Sequence, residues 1–189
     1  MLGLRRYKRT QIDIWQGDIT KFAVDAIINA ADASLTGGGG VDGAIHAAGG
    51  PEILEQCRRI GRCEPGFCVT TSAGRLPARH VIHAVGPVWQ GGSTNEAATL
   101  RLCYENIFKT AAQLDVRHIS VPAISTGAYR FPATSAAEIA MTATRAYLDV
   151  ESSAALKRIT FVAFDGDSYR TLQEQLFERF PDEIDEFDL

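Results

Sequence analysis

Gly37-Gly38-Gly39-Gly40 is the segment of this chain whose composition points most directly to chemistry. Glycine loses more conformational freedom on folding than any other residue, so four in a row are costly. A flexible surface loop is one explanation. The run lies, however, between an apolar strand-like segment, Val24 to Asn29, and a helix-like one, Val41 to Ala48, and it lacks the serine and polar filler of a linker. Glycines at such a junction let backbone amides approach a phosphate, and the helix terminus adds partial positive charge. It is not a Walker loop, since no Lys-Ser or Lys-Thr follows the glycines, and G-x-G-x-x-G spacing is absent. A second loop of small residues, Pro122-Ala123-Ile124-Ser125-Thr126-Gly127-Ala128-Tyr129, has the make-up to supply another set of amides. Ordinary turns use the same residues. Two such loops on one rim would clamp a diphosphate from both sides.

Other reactive side chains suggest less. Cys57, Cys63, Cys68 and Cys103 show no C-x2-C spacing and no paired histidines, so no metal site is expected. Met1 to Arg6 carries positive charge with no apolar segment behind it, so no secretory signal and no disulfides are expected. The thiols read as reduced, mostly core groups of a cytoplasmic protein. His46 falls late in a short helix and His83 in a strand among apolar residues. Both read as buried structural histidines rather than as a His–Asp base.

Elements that would position the loops alternate between strand and helix. Ile12 to Trp15, Val24 to Asn29, Phe67 to Thr71, His80 to Val85, His118 to Val121 and Ile159 to Phe164 read as strands. Helices are expected over Val41 to Ala48, from Pro51 to Arg59, from Asn95 to Leu114 with Thr94 as cap, from Ser135 to Leu148 and from Ser168 to Phe180. Ser135 followed by Glu138 suggests a capping box. Such alternation predicts a three-layer α/β/α domain around a largely parallel sheet. Ligands of such sheets sit beyond the carboxyl ends of the strands, here the loops after Asn29, Val121 and Phe164.

At 189 residues the chain fits one domain, with a core over about 12–180 and a tail over 181–189. An apolar fraction of 46% with 22% charged residues is ordinary for a soluble protein. No apolar run approaches the roughly 18–20 residues that a membrane helix needs. The net charge of −4 is concentrated in Asp182, Glu183, Asp185, Glu186 and Asp188, without which 19 basic residues face 18 acidic ones. A near-neutral core without a basic, aromatic stripe argues against nucleic-acid binding. Any bound anion must be held by local geometry rather than by a global field.

Gln16-Gly17-Asp18-Ile19-Thr20, Ile28-Asn29-Ala30-Ala31, Gly37 through His46, His83 through Trp89 and Pro122 through Tyr129 together resemble the macro domain family in its MacroD-type branch. The resemblance runs from about Ile12 to Phe180. It implies an α/β/α fold with a mixed, largely parallel sheet, binding ADP-ribose in a cleft at its top, in a monomer with no cofactor and no metal. In that pattern Asp18 accepts from the adenine amino group, Ile19 lines the adenine pocket and Phe164 neighbours the ring. A turn cap before Thr20 and a core position are the alternatives for Asp18 and Phe164. Gly37, Gly38, Gly39, Gly40 and Val41 match one diphosphate loop; Ser125, Thr126, Gly127, Ala128 and Tyr129 match the other, with Tyr129 beside the distal ribose. Asp42 matches the carboxylate that activates or positions the attacking water, and Asn29 belongs to the same catalytic set.

Position 32 departs from the family. Asn-Ala-Ala-Asn is the pattern, and this chain reads Asn29-Ala30-Ala31-Asp32. Asparagine donates and accepts hydrogen bonds, whereas an ionised aspartate only accepts. Asp32 also places a second carboxylate near Asp42, and like charges in one cleft disfavour joint ionisation. Ala47 stands where arginine is common, and Arg130 where glycine is common after Tyr129. The resemblance implies a hydrolase acting on O-acetyl-ADP-ribose or on ADP-ribose linked to acidic side chains of proteins. The alternative is a reader module that binds ADP-ribose with weak or no catalysis because of Asp32.

Overall fold

A computed structural model describes residues 3–150 and 155–181. Of the acidic tail expected over 181–189, only Pro181 falls within the described residues. Strands β1 (Leu4–Tyr7), β2 (Thr10–Gln16), β3 (Ala26–Ala31), β4 (Cys68–Ser72), β5 (His80–Val85), β6 (His118–Pro122) and β7 (Arg158–Ala163) form one seven-stranded sheet, ordered β1-β2-β7-β6-β3-β5-β4. The inner strands pair in parallel, and β1 and β4 pair antiparallel at the two edges. Helices α1 (Gly40–Gly49), α2 (Pro51–Ile60), α3 (Glu96–Gln113), α4 (Ala133–Asp149) and α5 (Gly166–Arg179) cover its faces.

The layers follow from the period of two in the strands. Ile27, Val81, Val85 and Val162 bury on one face with Ile45, Ile53 and Cys57 of α1 and α2. Ile28, Ile82, Ile119 and Phe161 bury on the other with Leu100, Ile107, Ala140 and Leu176 of α3, α4 and α5. Strands covered on both faces read as continuous apolar runs, which is why β3, β5 and β7 stood out in the sequence. Among the described residues no helix is long and apolar enough to cross a membrane.

Two local expectations are corrected, and one strand was not foreseen. The basic segment Leu4–Tyr7 is an edge strand; its mixed exposure left no alternation to read. The cap of α3 is Asn95, in a left-handed conformation, rather than Thr94. The α4 helix begins at Ala133 behind Pro132, so Ser135 and Glu138 lie inside it and form no capping box. Glu138 pairs instead with Arg179 of α5, at 2.7 Å.

The centre of the sheet opens a crevice. Strands β3 and β6 pair only through Ala26–Ile119 and Ile27–Ser120, and diverge beyond. The chain leaving β3 enters α1 on one face, and the chain leaving β6 enters α4 on the other. Adjacent parallel strands whose connections part to opposite faces leave a cleft at their carboxyl ends. Both small-residue loops lie on its rim.

Candidate active site

The glycine run forms one wall. Gly37 and Gly40 have φ of +80° and +58°, a left-handed conformation that glycine adopts without strain. Gly39 caps α1 with no side-chain hydrogen bond, so amides of the first turn remain available to a ligand. The helix sits close against this loop: a Cβ on Gly43 would lie 2.6 Å from the Gly38 carbonyl oxygen.

Asp42, on the first turn of α1, is 5% exposed. Its Oδ1 accepts a 2.7 Å bond from Asn29 Nδ2 on β3, and His46 Nε2 lies 3.4 Å from the same oxygen. Its Oδ2 faces Gly38, where any Cβ would come within 3.2 Å of it. Anchoring one carboxylate oxygen and presenting the other is the arrangement a general base requires. Asn29 is fully buried behind Asp42 rather than on the cleft surface. Of the two histidines expected to be buried, His83 is fully buried and His46 only partly so, and their ring centroids lie 5.9 Å apart. Neither histidine was tied to Asp42 by sequence reasoning. The spacing of Asp42 and His46, one helical turn apart, was the available signal for one of them.

Asp32 joins the same cleft. Its Oδ1 accepts from the amides of Ser34 at 2.6 Å and Leu35 at 3.1 Å, and from the Ser34 hydroxyl. An asparagine oxygen would make this turn equally well. The consequence of Asp for Asn is therefore confined to the second atom, Oδ2, which lies 3.8 Å from the Cβ position of Gly38. Tyr129 approaches from the other loop: burial, and then the charges of Asp32 and Asp42, push its hydroxyl pKa above the usual value.

The second wall is the β6–α4 loop. Ser125 holds a left-handed φ of +66° with its side chain buried, and the Phe131 amide closes the loop on the Ser125 carbonyl at 2.9 Å. A non-glycine residue in that region costs of order 1–3 kcal/mol, a strain characteristic of ligand loops. Arg130 also has a positive φ, +57°, so the backbone itself accounts for a glycine preference there. The Trp89 amide donates to the Tyr129 carbonyl at 2.9 Å, and the Trp89 ring packs on Phe131 at 4.7 Å. Glu96 steadies this support. Its buried carboxylate accepts from the amides of Gln90, Gly92 and Thr94 at 2.7–3.0 Å, which against the cost of burial hold its pKa down to about 2. No sequence feature marked Glu96, because three loop amides turned toward one carboxylate leave no periodic trace.

At the far end lie the residues matched to an adenine site. Asp18 caps the 3-10 turn Ile19–Lys21, accepting from the Thr20 hydroxyl at 2.7 Å and amide at 2.9 Å; both bonds use Oδ1 and hold its pKa below the usual carboxylate range. Ile19 packs mainly into the core beside Ile27 and Val162. Phe164, directly after β7, is 88% exposed. An aromatic ring so open to solvent has no core role, and its surface is available to a flat ligand.

His46, Cys57 and His83 are the one group among the described residues close enough to suggest a metal site. Burial, and then the Asp42 charge, push the Cys57 thiol up to about 11, which disfavours the thiolate that metals bind.

Comparisons with known proteins show the family to which the chain belongs. Residues 28–140 match the Macro domain family. A protein of Enterobacter cloacae named O-acetyl-ADP-ribose deacetylase is 46% identical over 175 residues, covering 90% of this chain and 96% of its own. A macro domain-containing protein of Cupriavidus necator is 49% identical over 169 residues, covering 87% of this chain and 96% of its own. Among solved structures, the Oceanobacillus iheyensis macrodomain with ADP superposes with a TM-score of 0.86 at 35% identity, over 93% of this chain and 94% of that one. The Trypanosoma brucei macrodomain in complex with ADP-ribose gives 0.81 at 39% identity, over 86% and 68%. With the family matched along more than half its length and with relatives near half identical across nearly all of it, this chain belongs to the macro domain family.

Proposed function

We propose that this protein binds ADP-ribose derivatives and hydrolyses an ester at the distal ribose, acting on O-acetyl-ADP-ribose and on ADP-ribose linked to acidic side chains of proteins. The observation that carries this reading is the placement of Asp42, with one oxygen anchored by Asn29 and the other turned to the glycine loop. The names of the bacterial relatives and the nucleotides held by the structural neighbours support it. Amides of Gly37 to Val41 and of Ser125 to Ala128 grip the diphosphate, Phe164 stacks on the adenine, Asp18 receives its amino group through the unused Oδ2, and Tyr129 shields the distal ribose. Ile19 closes the adenine end chiefly from behind, through the core. Asp42 Oδ2 takes a proton from water as the oxygen attacks the acyl carbonyl. The acyl–oxygen bond breaks, the proton passes from Asp42 to the departing ribose oxygen, which becomes a hydroxyl, and acetate and ADP-ribose leave. The chain does this as one domain, a cytoplasmic monomer without metal, cofactor or nucleic-acid partner. Calorimetry with ADP-ribose and acetate release from O-acetyl-ADP-ribose test the reading: binding without release makes the protein a reader module, and no binding by folded protein refutes both.

Asp32→Asn is expected to raise turnover near pH 7. The turn made by Oδ1 is kept, while the atom facing the cleft changes from a charged acceptor to a donor for a ribose hydroxyl. One such bond is worth about 0.5–1.5 kcal/mol, or roughly 2-fold to 10-fold in rate. Equal or lower acetate release by the variant refutes the assignment.

A further inference from the structure

We propose that His83 is a positioning residue for the hydrolytic carboxylate, holding Asp42 through Asn29 as the middle link of a hydrogen-bond relay whose direction is set along its whole length. The inference rests on the reading of Asp42 as the base.

The relay crosses one face of the sheet. Asn29 of β3 and His83 of β5 are direct cross-strand partners, and Thr71 lies on the neighbouring β4. Asn29 and His83 are fully buried, and Thr71 nearly so. Asn29 Nδ2 contacts Asp42 Oδ1 at 2.7 Å and His83 Nδ1 at 3.0 Å. His83 Nε2 meets the Thr71 hydroxyl at 2.9 Å, and that hydroxyl donates to the Ser72 carbonyl at 2.9 Å.

Both ends of this chain only accept, so every proton has one place to go. Thr71 spends its hydrogen on Ser72, so its oxygen accepts from His83 and Nε2 carries the ring proton. His83 Nδ1 is therefore bare and accepts one amide hydrogen of Asn29. The other amide hydrogen goes to Asp42. Asn29 Oδ1 is left buried without a partner. That cost locates the constraint: turning the amide over would put its carbonyl against the Asp42 carboxylate and against a bare ring nitrogen. The neutral ring is what keeps the amide the right way round.

The surroundings hold His83 neutral. His46 faces it from α1 and Cys57 from α2, with the Cys57 sulfur 3.7 Å from Nε2, and Asp42 lies beyond the Asn29 amide. Burial, and then the neighbouring His46, bring the His83 pKa down to about 4. A proton on Nε2 also points the ring's hydrogen toward Cys57 and Thr71, which a metal bound at that nitrogen would displace.

Two substitutions and one spectrum test the relay. His83→Leu keeps the bulk and removes the acceptor; kcat for acetate release is expected to fall about 10-fold to 100-fold, as for a displaced catalytic group. KM and the affinity for ADP-ribose are expected to hold within about 2-fold, since Asn29 is behind the carboxylate and not on the ligand. His83→Asn returns a carbonyl oxygen to the Nδ1 position and is expected to recover most of the rate. In the wild-type chain, long-range 1H–15N spectra are expected to show His83 as the Nε2–H tautomer at pH 7. An Nδ1–H tautomer or an imidazolium overturns the proposal whatever the variants do, including a variant that fails to fold. Unchanged kcat in folded His83→Leu, or equal rates for the Leu and Asn variants, overturns it as well. A wild-type chain that releases no acetate fails the hydrolase reading instead, and the tautomer then decides the relay by itself.

Discussion

Asp42→Asn is expected to lower acetate release from O-acetyl-ADP-ribose by about 100-fold to 10,000-fold, the contribution of a positioned general base. The substitution is nearly isosteric and keeps an oxygen for the Asn29 amide, so the 2.7 Å contact behind the carboxylate survives. What disappears is the capacity of the cleft-facing atom to take a proton from water. Binding should move the other way. Removing a negative charge from a site built for a diphosphate relieves repulsion, so ADP-ribose should bind as tightly as before or more tightly. A fall in turnover without a fall in affinity is the signature of an interaction made only in the transition state. Stopped-flow or end-point acetate assays beside calorimetry read both quantities. Turnover within about 10-fold of the parent would remove Asp42 from the role of base.

Gly43→Ala is expected to weaken ADP-ribose binding about 10-fold to 100-fold, although residue 43 offers the ligand no side chain. Its new Cβ would sit 2.6 Å from the Gly38 carbonyl oxygen, a backbone atom with no rotamer to escape into. Carbon–oxygen contacts settle at about 3.3 Å or more. The loop, the helix start or both must part by about 0.7 Å to restore that spacing, and Gly38 lies beside both carboxylates. Amides aimed at a diphosphate lose their convergence when their carrier shifts. A thermal melt establishes that the variant is folded, and calorimetry reads the affinity. Parent-like affinity in the folded variant would show that the glycine loop does not grip the ligand.

Much of the fold was legible because burial on both faces of a strand leaves a continuous apolar signature. β3, β5 and β7 were read this way, and the three-layer arrangement followed from their alternation with helices. Helix starts were less legible. Thr94 suited a helix read as beginning at Asn95, yet the carboxylate of Glu96 gathers the amides of Gln90, Gly92 and Thr94, and the boundary falls one residue later. The Ser135 and Glu138 spacing fitted a capping box, but Pro132 opens α4 a turn earlier. At the site, motif strings singled out Asp42, Asp32, the glycine loop and Tyr129, and the structure brings these residues together at one cleft. For Phe164, sequence left a core position and a ligand surface open, and exposure of 88% separates them.

By itself, then, the order of residues determined which strands are buried, which loops end on the rim and which carboxylates stand near the glycine run. These depend on local composition and short spacing, which a linear chain records. Only the tertiary structure decided that β3 and β6 part after two paired positions, that Asp32 keeps its turn while changing one cleft-facing atom, and that Asn29, His83 and Thr71 meet beneath Asp42. The second of those facts arises where the local turn of Asp32 meets the glycine loop, and the first and last where strands distant in sequence come side by side. The direction of a hydrogen bond between them depends on every neighbour at once, and no single stretch of chain contains that information.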